Sequence, residues 1–320
     1  MKPMGSNKGK KWILRIVFAA GFLLLCYPLA GNIIQRQQQK YAVASCRSIL
    51  EKQDESRIRE ILDEAEEYNS MLFQSKGAVV DNMDTGILSD ESYCRILNQS
   101  DGIMGSIEIP KIDVDLPVYH GTDEEVLSAG AGHQQGTSLP VGGENTHCVL
   151  TGHRGIPGSS LFTRLDELKE GDLFFLQVMG ETLAYRICGT DVVEPEDTGV
   201  LKIQAGRDLC SLVTCTPYGI NTHRLVVTGE RVPYEETVYE SIAPGIPSFR
   251  ELTFTALPFL LLAGAAVFQI TDWRKEKYVR EKQNGKKNGS RTSSVRDTSS
   301  VRDARVRRRR RRNRRRKRYA

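Results

Sequence analysis

Three side chains in this sequence could together carry out acyl transfer, because they supply a thiol, an imidazole and a guanidinium. Cys215 and Arg224 stand on either side of residues 217–221, where Pro, Gly and Asn predict a turn between two strand-like apolar stretches. The strands of such a hairpin would place Cys215 and Arg224 at the same edge of a sheet. His153 follows another apolar stretch, in a loop flanked by glycines.

Each group has a defined part in that chemistry. A thiol attacks a carbonyl only as the thiolate, a form that nearby positive charge favours, so Cys215 is the candidate nucleophile. The imidazole of His153 can protonate a leaving amine and deprotonate an incoming one. Arg224 keeps its charge and can stabilise the oxyanion of a tetrahedral intermediate. The predicted order is attack, acyl-thioester and transfer to a second nucleophile.

Each of these residue types also has an ordinary structural role. A lone cysteine at a strand end is usually a small buried apolar side chain, and a lone surface arginine is usually solvated. The combination with a glycine-flanked histidine favours catalysis. Four other histidines could compete as the base. His223 alternates to the strand face opposite Arg224. Turn or packing roles are expected for the other three, which are His120, His133 and His147.

The cysteines predict neither a metal site nor a fixed disulfide pattern. No close pair of cysteines occurs with a second pair of ligands, so no zinc site, other metal or cofactor is expected. Outside a membrane some thiols could oxidise, and a bridge from Cys46 to Cys94 is one possibility. Cys148, Cys188 and Cys210 lie in predicted strands and are interpreted as core residues.

Two apolar runs predict that the chain crosses a membrane twice. Residues 12–34 contain one charge, Arg15, and residues 252–270 contain none, and both runs can cross a hydrocarbon core of about 30 Å. Basic residues precede the first run and follow the second, which predicts cytoplasmic termini and an extracellular body. Trp12 and Trp273 stand at the predicted cytoplasmic ends, where an interfacial indole is favoured.

Other interpretations of these runs are less favoured. A cleavage site near residue 44 would make the first run a signal peptide, but that site lies beyond a polar stretch, so an uncleaved anchor is preferred. The second run could be a buried core helix, although no folded segment is predicted after it. Residues 35–250, which form the body between the runs, have 18 basic against 34 acidic residues, a net charge of roughly −16.

The C-terminal residues 283–320 have almost no apolar content, which predicts disorder. A six-residue repeat occurs twice within residues 292–303, and the segment from Arg307 to Arg318 is an almost unbroken cationic run. Because this run follows a membrane span, anionic lipids of the cytoplasmic leaflet are its expected partner. Binding of this run to a protein is a less favoured alternative. Binding to nucleic acid is the least favoured one, so no nucleic-acid partner is expected.

The body predicts a mainly β fold with a helical beginning. Residues 42–72 have apolar side chains at three- and four-residue spacing, which predicts one or two amphipathic helices, and residues 75–100 are irregular. Beyond Gly105, short β-type runs alternate with Gly and Pro, with brief helical pieces such as residues 161–168. This pattern favours a closed β-barrel with catalytic groups at its rim. The predicted strands are residues 106–109, 114–119, 147–150, 173–178, 182–193, 209–214 and 224–231.

A series of motifs within residues 102–232 resembles a class C, pilin-polymerising sortase of Gram-positive bacteria. The motifs are GSIEIPKI at 105–112, VYHGT at 118–122, GH at 132–133, TSLPVGG at 137–143, TGHRG at 151–155 and VTCTPYG at 213–219, followed by Arg224. The resemblance implies an eight-stranded sortase-type barrel with Cys215, His153 and Arg224 in the catalytic positions. It also implies cleavage of an LPXTG-type sorting signal between Thr and Gly, and transfer to a lysine amine of another pilin. Two membrane spans agree with class C.

The chain departs from that family in one region. Class C sortases usually have a lid over the cysteine, anchored by an Asp-Pro-aromatic motif ahead of the barrel. Here Asp81 and Asp84 lie in the equivalent region, and neither is followed by a proline or an aromatic residue. They are candidate lid residues. If a lid operates, deletion of residues 79–86 should raise hydrolysis of a model peptide.

Together these inferences predict a two-pass membrane enzyme. Its predicted segments are a cytoplasmic N-terminus (1–11), a transmembrane helix (12–34), an extracellular helical segment with a possible lid (35–101), the catalytic barrel (102–235), a linker (236–251), a second transmembrane helix (252–270) and a cytoplasmic tail (271–320).

The predicted activity is that of a membrane-anchored cysteine transpeptidase acting on LPXTG-bearing pilins or surface proteins, with a lysine amine as the acceptor. Thr214, Leu212 and Tyr218 surround the cysteine in the sequence and are candidate substrate contacts. One alternative is a sortase that attaches surface proteins to peptidoglycan. A non-catalytic membrane scaffold is an alternative of a different class.

Overall fold

Eight strands form the centre of the computed structural model, which describes residues 6–75, 90–156, 159–243, 252–253 and 255–282, together with residues 305 and 308. The strands are β1 (Ile103–Ile109), β2 (Val114–His120), β3 (Ala131–His133), β4 (Thr146–Thr151), β5 (Leu173–Val178), β6 (Glu181–Val193), β7 (Asp208–Thr216) and β8 (His223–Val232). They close in the order β1-β2-β3-β4-β7-β8-β6-β5, so the predicted eight-stranded barrel is confirmed. The β2–β3 and β4–β7 pairs are parallel, and the other neighbours are antiparallel.

Strand β3 is the one strand that the sequence pattern did not predict. It is only three residues long and contains a glycine and a histidine, so it has no apolar alternation. Its pairing comes from its neighbours, with Gly132 opposite Tyr119 of β2 and Thr151 of β4. A Cβ atom at Gly132 would lie 2.3 Å from the carbonyl oxygen of Gly121, so this close approach of two chains requires glycine.

Aromatic and aliphatic side chains of the strands fill the barrel. Phe174 and Tyr185 are fully buried and stack with their ring centroids 5.4 Å apart. Gly229 of β8 makes room for this stack, since a Cβ atom there would lie 2.5 Å from the ring of Phe174. Cys148 and Cys210 face each other in the β4–β7 register inside the same core, as expected for core residues.

Cys188, by contrast, is exposed, so its interpretation as a core residue is wrong. Tyr185 and Ile187 of β6 lie in the core, so the two-residue alternation of the strand turns Arg186 and Cys188 outward. The structure also contains no disulfide between Cys46 and Cys94; Cys46 is buried and Cys94 is exposed.

The helices of the first compact unit, which ends at Leu252, flank the barrel. They are α1 (Ser6–Leu50), α2 (Glu55–Ser75), α3 (Asp90–Tyr93), α4 (Glu124–Ala129) and α5 (Glu236–Ser241). Helix α1 continues without interruption from the predicted span to Leu50. Helix α2 is anchored through Asn69, whose side-chain amide exchanges two hydrogen bonds with the backbone of Leu139, at 2.7 and 3.2 Å. The predicted helix over residues 161–168 is reduced to a 3₁₀ turn at Leu165–Glu167.

Among the residues that the structure describes, two helices are long and apolar enough to cross a membrane. They are the part of α1 from Arg15 to Leu50 and the C-terminal helix α6 (Thr255–Lys282), which belongs to a second compact unit. These helices agree with the two spans predicted from the sequence.

The face of α1 just beyond the apolar run contacts helix α4. Gln35 Nε2 donates to the carbonyl oxygen of Ser128 at 2.6 Å, and Gln39 Nε2 donates to that of Ala129 at 3.0 Å. These bonds satisfy carbonyl groups at the C-terminal end of the short helix. Helix α4 is therefore held by the same helix that carries the predicted first span.

Candidate active site

Cys215 and Arg224 lie directly opposite each other where β7 and β8 approach their connecting loop. Residues directly opposite in an antiparallel pair point to the same face, with Cβ atoms about 4.5–5.5 Å apart. Both side chains are half-buried. Arg224 Nη1 contacts the carbonyl oxygen of His223 at 3.3 Å. The hairpin geometry expected from the sequence therefore brings the thiol and the guanidinium together.

His153 is brought to the same edge by the parallel pairing of β4 with β7. That ladder continues past β4, because Gly152 N donates to the carbonyl oxygen of Val213 at 3.0 Å. Thr214 Oγ1 returns a bond of 2.7 Å to the carbonyl oxygen of Gly152. A Cβ atom at Gly152 would lie 2.6 Å from the ring of Phe162, so the residue that aligns His153 with the end of β7 has to be glycine. All three predicted catalytic residues thus lie at one end of the barrel.

The imidazole of His153 is largely enclosed and has an acidic neighbour. Its side chain is 22% exposed, and Nε2 lies 3.3 Å from Glu124 Oε2 on α4. The contact has ion-pair distance without hydrogen-bond geometry, so among the described residues Nε2 has no hydrogen-bond partner. We treat it as a weak electrostatic contact, because Glu124 is 82% exposed. No sequence pattern links Glu124 to His153.

Arg154, the next residue, is the most buried cation of this edge, with only 3% of its side chain exposed. Nη1 donates to Thr216 Oγ1 at 3.2 Å, and Nη2 forms an ion pair with Asp166. Its guanidinium carbon lies 6.0 Å from the ring centroid of Tyr218. The sequence placed Arg154 inside a motif but gave no sign of these contacts, because its partners are distant in the chain.

The competing histidines have structural roles. His120 contacts two carbonyl oxygens, at 2.7 and 2.9 Å, and His133 contacts that of Ser138 at 2.9 Å. His147 Nε2 lies 2.7 Å from Ser211 Oγ. Burial lowers the pKa of His120 and of His147, which keeps both neutral. His223 is exposed, with Nδ1 2.9 Å from Thr222 Oγ1.

The candidate substrate contacts occupy different environments. Leu212 is fully buried in the barrel core, and Thr214 is 1% exposed with its hydroxyl bonded to Gly152, so neither offers surface to a peptide in this structure. Tyr218 is 44% exposed and lies against Gly155, where a Cβ atom would be 3.2 Å from its ring. The lid candidates Asp81 and Asp84 lie outside the described residues. Within the described part of the chain, no group of His, Cys, Asp and Glu could hold a metal ion.

Comparison with protein families gives a match to the barrel. A family model described as "Sortase domain" matches residues 107–232, which run from β1 to β8. Sortase D from Bacillus subtilis is 35% identical over 131 residues, covering 40% of this chain and 63% of that protein. Sortase A from Streptococcus agalactiae is 30% identical over 150 residues, covering 44% and 60%. The chain therefore spans somewhat less than two thirds of the length of these curated relatives.

Solved structures match over a larger share of their length. Sortase C1 from Streptococcus agalactiae is 42% identical with a TM-score of 0.57, covering 61% of this chain and 100% of that chain. Sortase C from Streptococcus pneumoniae, described in terms of its pilin substrate specificity, is 40% identical with a TM-score of 0.55 and coverage of 61% and 97%. Sortase C from Clostridium perfringens, solved with the C-terminal cell wall sorting motif, is 38% identical with a TM-score of 0.53 and coverage of 61% and 99%.

Proposed function

This chain belongs to the sortase family, and from that premise we propose that it is a membrane-anchored, pilin-polymerising transpeptidase. It would cleave an LPXTG-type sorting signal between Thr and Gly and join the threonyl group to a lysine amine of another pilin subunit. The main support for the proposal is the Cys215–Arg224 pair at the β7–β8 edge, together with His153, which the β4–β7 pairing places at the same end of the barrel.

The proposed reaction uses each side chain in one defined step. Cys215 Sγ attacks the threonyl carbonyl as thiolate, and Arg224 stabilises the oxyanion that forms. The Thr–Gly bond breaks while protonated His153 gives its proton to the departing glycine amine, leaving an acyl-thioester on Cys215. Neutral His153 then takes a proton from the lysine amine, which attacks the thioester, releases the thiolate and forms an isopeptide bond.

The sortase C structures support the pilin-polymerising class. They share 38–42% identity with this chain, and the chain covers nearly their full length. The pneumococcal protein is described by its pilin specificity and the clostridial one was solved with a sorting motif. Two helices able to span a membrane are consistent with a substrate that is itself held at the membrane.

Trapping the acyl-enzyme tests the reaction. The full-length protein in detergent micelles is incubated with an LPXTG-containing peptide without an amine acceptor, and intact mass is measured. We expect an adduct equal to the peptide minus its part from Gly onward, located on Cys215, and none with Cys215→Ala. A folded protein that forms no adduct and leaves the peptide uncleaved would reject the transpeptidase and favour a non-catalytic membrane scaffold.

A second experiment identifies the acceptor. Purified pilin that carries a sorting signal is supplied with its lysines intact, or with each lysine changed in turn to arginine. Loss of a ladder of covalent polymers on one such change indicates pilin polymerisation. Transfer only to a peptidoglycan cross-bridge amine would indicate the alternative, attachment of surface proteins to the cell wall.

The proposed location is the cell membrane, with an extracellular barrel and both termini in the cytoplasm. Membrane-impermeant maleimide should label the exposed thiol of Cys188 in intact cells whose walls have been removed. Protection of Cys188 until the membrane is permeabilised would place the barrel in the cytoplasm and reject this topology.

The basic tail is proposed to bind anionic lipid headgroups through the segment from Arg307 to Arg318. The expected result is binding of a synthetic peptide with this sequence to phosphatidylglycerol vesicles, and weak binding to phosphatidylcholine vesicles, with loss of binding at high salt. Equal binding to both vesicle types would contradict an electrostatic tether.

A further inference from the structure

Arg154 is a buried cation that is not part of the proposed reaction steps. A charged side chain is rarely this enclosed unless its partners compensate for lost hydration. Here the compensation comes from two directions: Nη2 pairs with Asp166 in the 3₁₀ turn, and Nη1 donates to Thr216 Oγ1 at the end of β7. The guanidinium thus joins three separate pieces of chain.

Two of the pieces that Arg154 joins carry proposed catalytic groups. Arg154 follows His153 directly, and Thr216 follows Cys215 directly. The backbone bonds between β4 and β7 fix Gly152 against Val213, but His153 and Cys215 both lie beyond them. The Arg154–Thr216 hydrogen bond ties the two segments at that level, one residue beyond the bond from Thr214 Oγ1 to Gly152.

We propose that Arg154 is a positioning residue that holds the loop bearing His153 against the strand end bearing Cys215. This inference rests on the proposed function and adds a residue to it. The planar guanidinium suits the task, because its separate nitrogens can bind an acceptor on each of two elements at fixed angles. A lysine keeps the charge but presents one nitrogen, which cannot reproduce that two-sided geometry.

A matched control lies at the other end of the same strand. Arg207 directly precedes β7 and pairs with Glu230, with Nε–Oε1 and Nη2–Oε2 distances of 3.0 and 2.9 Å. It is an ion-paired arginine of similar chemistry, separated from Cys215 by the length of β7. Arg207→Lys therefore reports what the loss of an arginine fork does to this barrel away from the site.

The test measures the reactivity of Cys215 in the full-length protein. Iodoacetamide alkylation is followed by peptide mass spectrometry, because Cys94 and Cys188 are also exposed. His153→Ala defines the loss caused by removing the imidazole. Arg154→Lys should reproduce most of that loss, about tenfold near neutral pH, and should flatten the pH profile in the same way. Arg207→Lys should stay within about twofold of the parent.

A double-mutant cycle separates positioning from general destabilisation. Thr216→Val removes one arm of the link and should also slow alkylation. In the combined variant, Arg154→Lys with Thr216→Val, the loss should be no larger than for Arg154→Lys alone, because both changes break one contact. Additive losses, or losses that follow the unfolding midpoints of the variants, would overturn the inference.

Turnover supplies an independent measurement. With a sorting peptide, Arg154→Lys should lower kcat by about 10- to 100-fold with KM nearly unchanged, since misplacement of about 1 Å can cost that much. If the parent forms no acyl-enzyme, the proposed function is rejected whatever the alkylation data show. If the parent forms it and Arg154→Lys is alkylated at the parent rate, only the role of Arg154 is rejected.

Discussion

The two ends of strand β7 carry similar polar residues in very different states. At its beginning, Asp208 is partly buried, with 14% of its side chain exposed, and both of its carboxylate oxygens accept hydrogen bonds. It accepts the Tyr185 hydroxyl at 2.9 Å and the Gly143 amide at 2.8 Å. Arg207 beside it is paired through two nitrogens with Glu230.

At its end, β7 adjoins the loop that follows β4, which carries His153 and Arg154. Among the described residues, His153 Nε2 and Arg154 Nε are buried and have no hydrogen-bond partner. The thiol of Cys215, on β7 itself, is half-buried. Buried polar groups are normally satisfied, because leaving one unpaired costs about 1–3 kcal/mol.

Polar groups at the beginning of β7 thus serve the structure, whereas polar groups around its end serve the proposed function. The satisfied end stabilises the barrel, whereas the unsatisfied end keeps donors available for a ligand, at a cost that the rest of the barrel must offset. Changes at the end of β7 should therefore affect catalysis more than stability, and changes at its beginning should do the reverse.

The largest effect is expected for Cys215→Ala. Removal of the nucleophile should abolish acyl-enzyme formation and lower peptide cleavage by about 10³-fold or more, because no covalent intermediate can form. The unfolding midpoint should change little, since the thiol is half-buried. Rates are measured by chromatography of the cleaved peptide, and stability by thermal unfolding in micelles.

The matched control for that variant is Cys210→Ala on the same strand. Its thiol is fully buried in the core, so stability should fall while the rate per folded molecule is kept. Residual turnover by Cys215→Ala within tenfold of the parent would mean that another group performs the attack.

Arg224→Ala should have the next largest effect. Loss of one donor to the developing oxyanion typically lowers kcat by about 10²- to 10³-fold, and the Michaelis constant should change less. Arg224→Lys should retain part of the activity, because the ammonium keeps the charge without the fork. The measurement is steady-state cleavage of a sorting peptide.

Arg207→Ala at the other end of β7 is the control for Arg224→Ala. Its kcat should equal that of the parent once the folded fraction is taken into account. Equal losses for the two arginine variants would erase the distinction between the ends of the strand.

The central part of this site could be predicted from the sequence, because the relevant contacts are local or follow from strand pairing. Cys215 and Arg224 are joined by one turn, so turn chemistry alone sets them opposite each other. His153 was found by its place after an apolar strand and beside glycine, although the sequence could not tell that β4 pairs with β7 rather than with another strand.

The missed features depend on contacts between distant parts of the chain or on small irregularities. Arg154 meets Thr216 and Asp166 only when β4, β7 and the 3₁₀ turn are assembled. Strand β3 forms because its backbone pairs with β2 on one side and with β4 on the other. Cys188 is different, because the alternation of β6 already implies its outward position: Tyr185 and Ile187 lie in the core, so Cys188 points to the opposite face.

Asp208→Ala probes the satisfied end directly. The change leaves the fully buried Tyr185 hydroxyl without its acceptor, so we expect destabilisation of about 3 kcal/mol. The exposed Asp191→Ala on β6 is the matched control and should change stability by less than about 0.5 kcal/mol. Chemical unfolding followed by tyrosine fluorescence measures both.

The catalytic rate per folded molecule should be unchanged in Asp208→Ala. A large loss of kcat in a protein that remains folded would show that the two ends of β7 are coupled and that the structural end also serves catalysis.

The buried histidine near the beginning of β4 makes the stability of the barrel depend on pH. His147 is fully buried, and burial lowers its pKa in the folded state relative to about 6.5 in the unfolded chain. Below pH 6.5 the unfolded chain therefore binds more protons at this residue, and stability is lost as the pH falls. Above that value the contribution of His147 is fully present.

His147→Gln keeps a polar group beside Ser211 but cannot titrate. Between pH 7.5 and pH 5, the parent should lose more stability than this variant. Parallel curves for the parent and His147→Gln would mean that His147 titrates alike in both states. Unfolding midpoints across the pH series provide the comparison.

The smallest effect is expected at Glu124, the acidic neighbour of His153. Glu124 is 82% exposed and its contact lacks hydrogen-bond geometry, so Glu124→Gln should change turnover by less than about threefold, and the difference should shrink as salt rises. Glu125→Gln, one position further along α4, is the matched control. A tenfold loss that persists at high salt would instead show that Glu124 orients His153. His153 would then have a functional partner even though the contact lacks hydrogen-bond geometry.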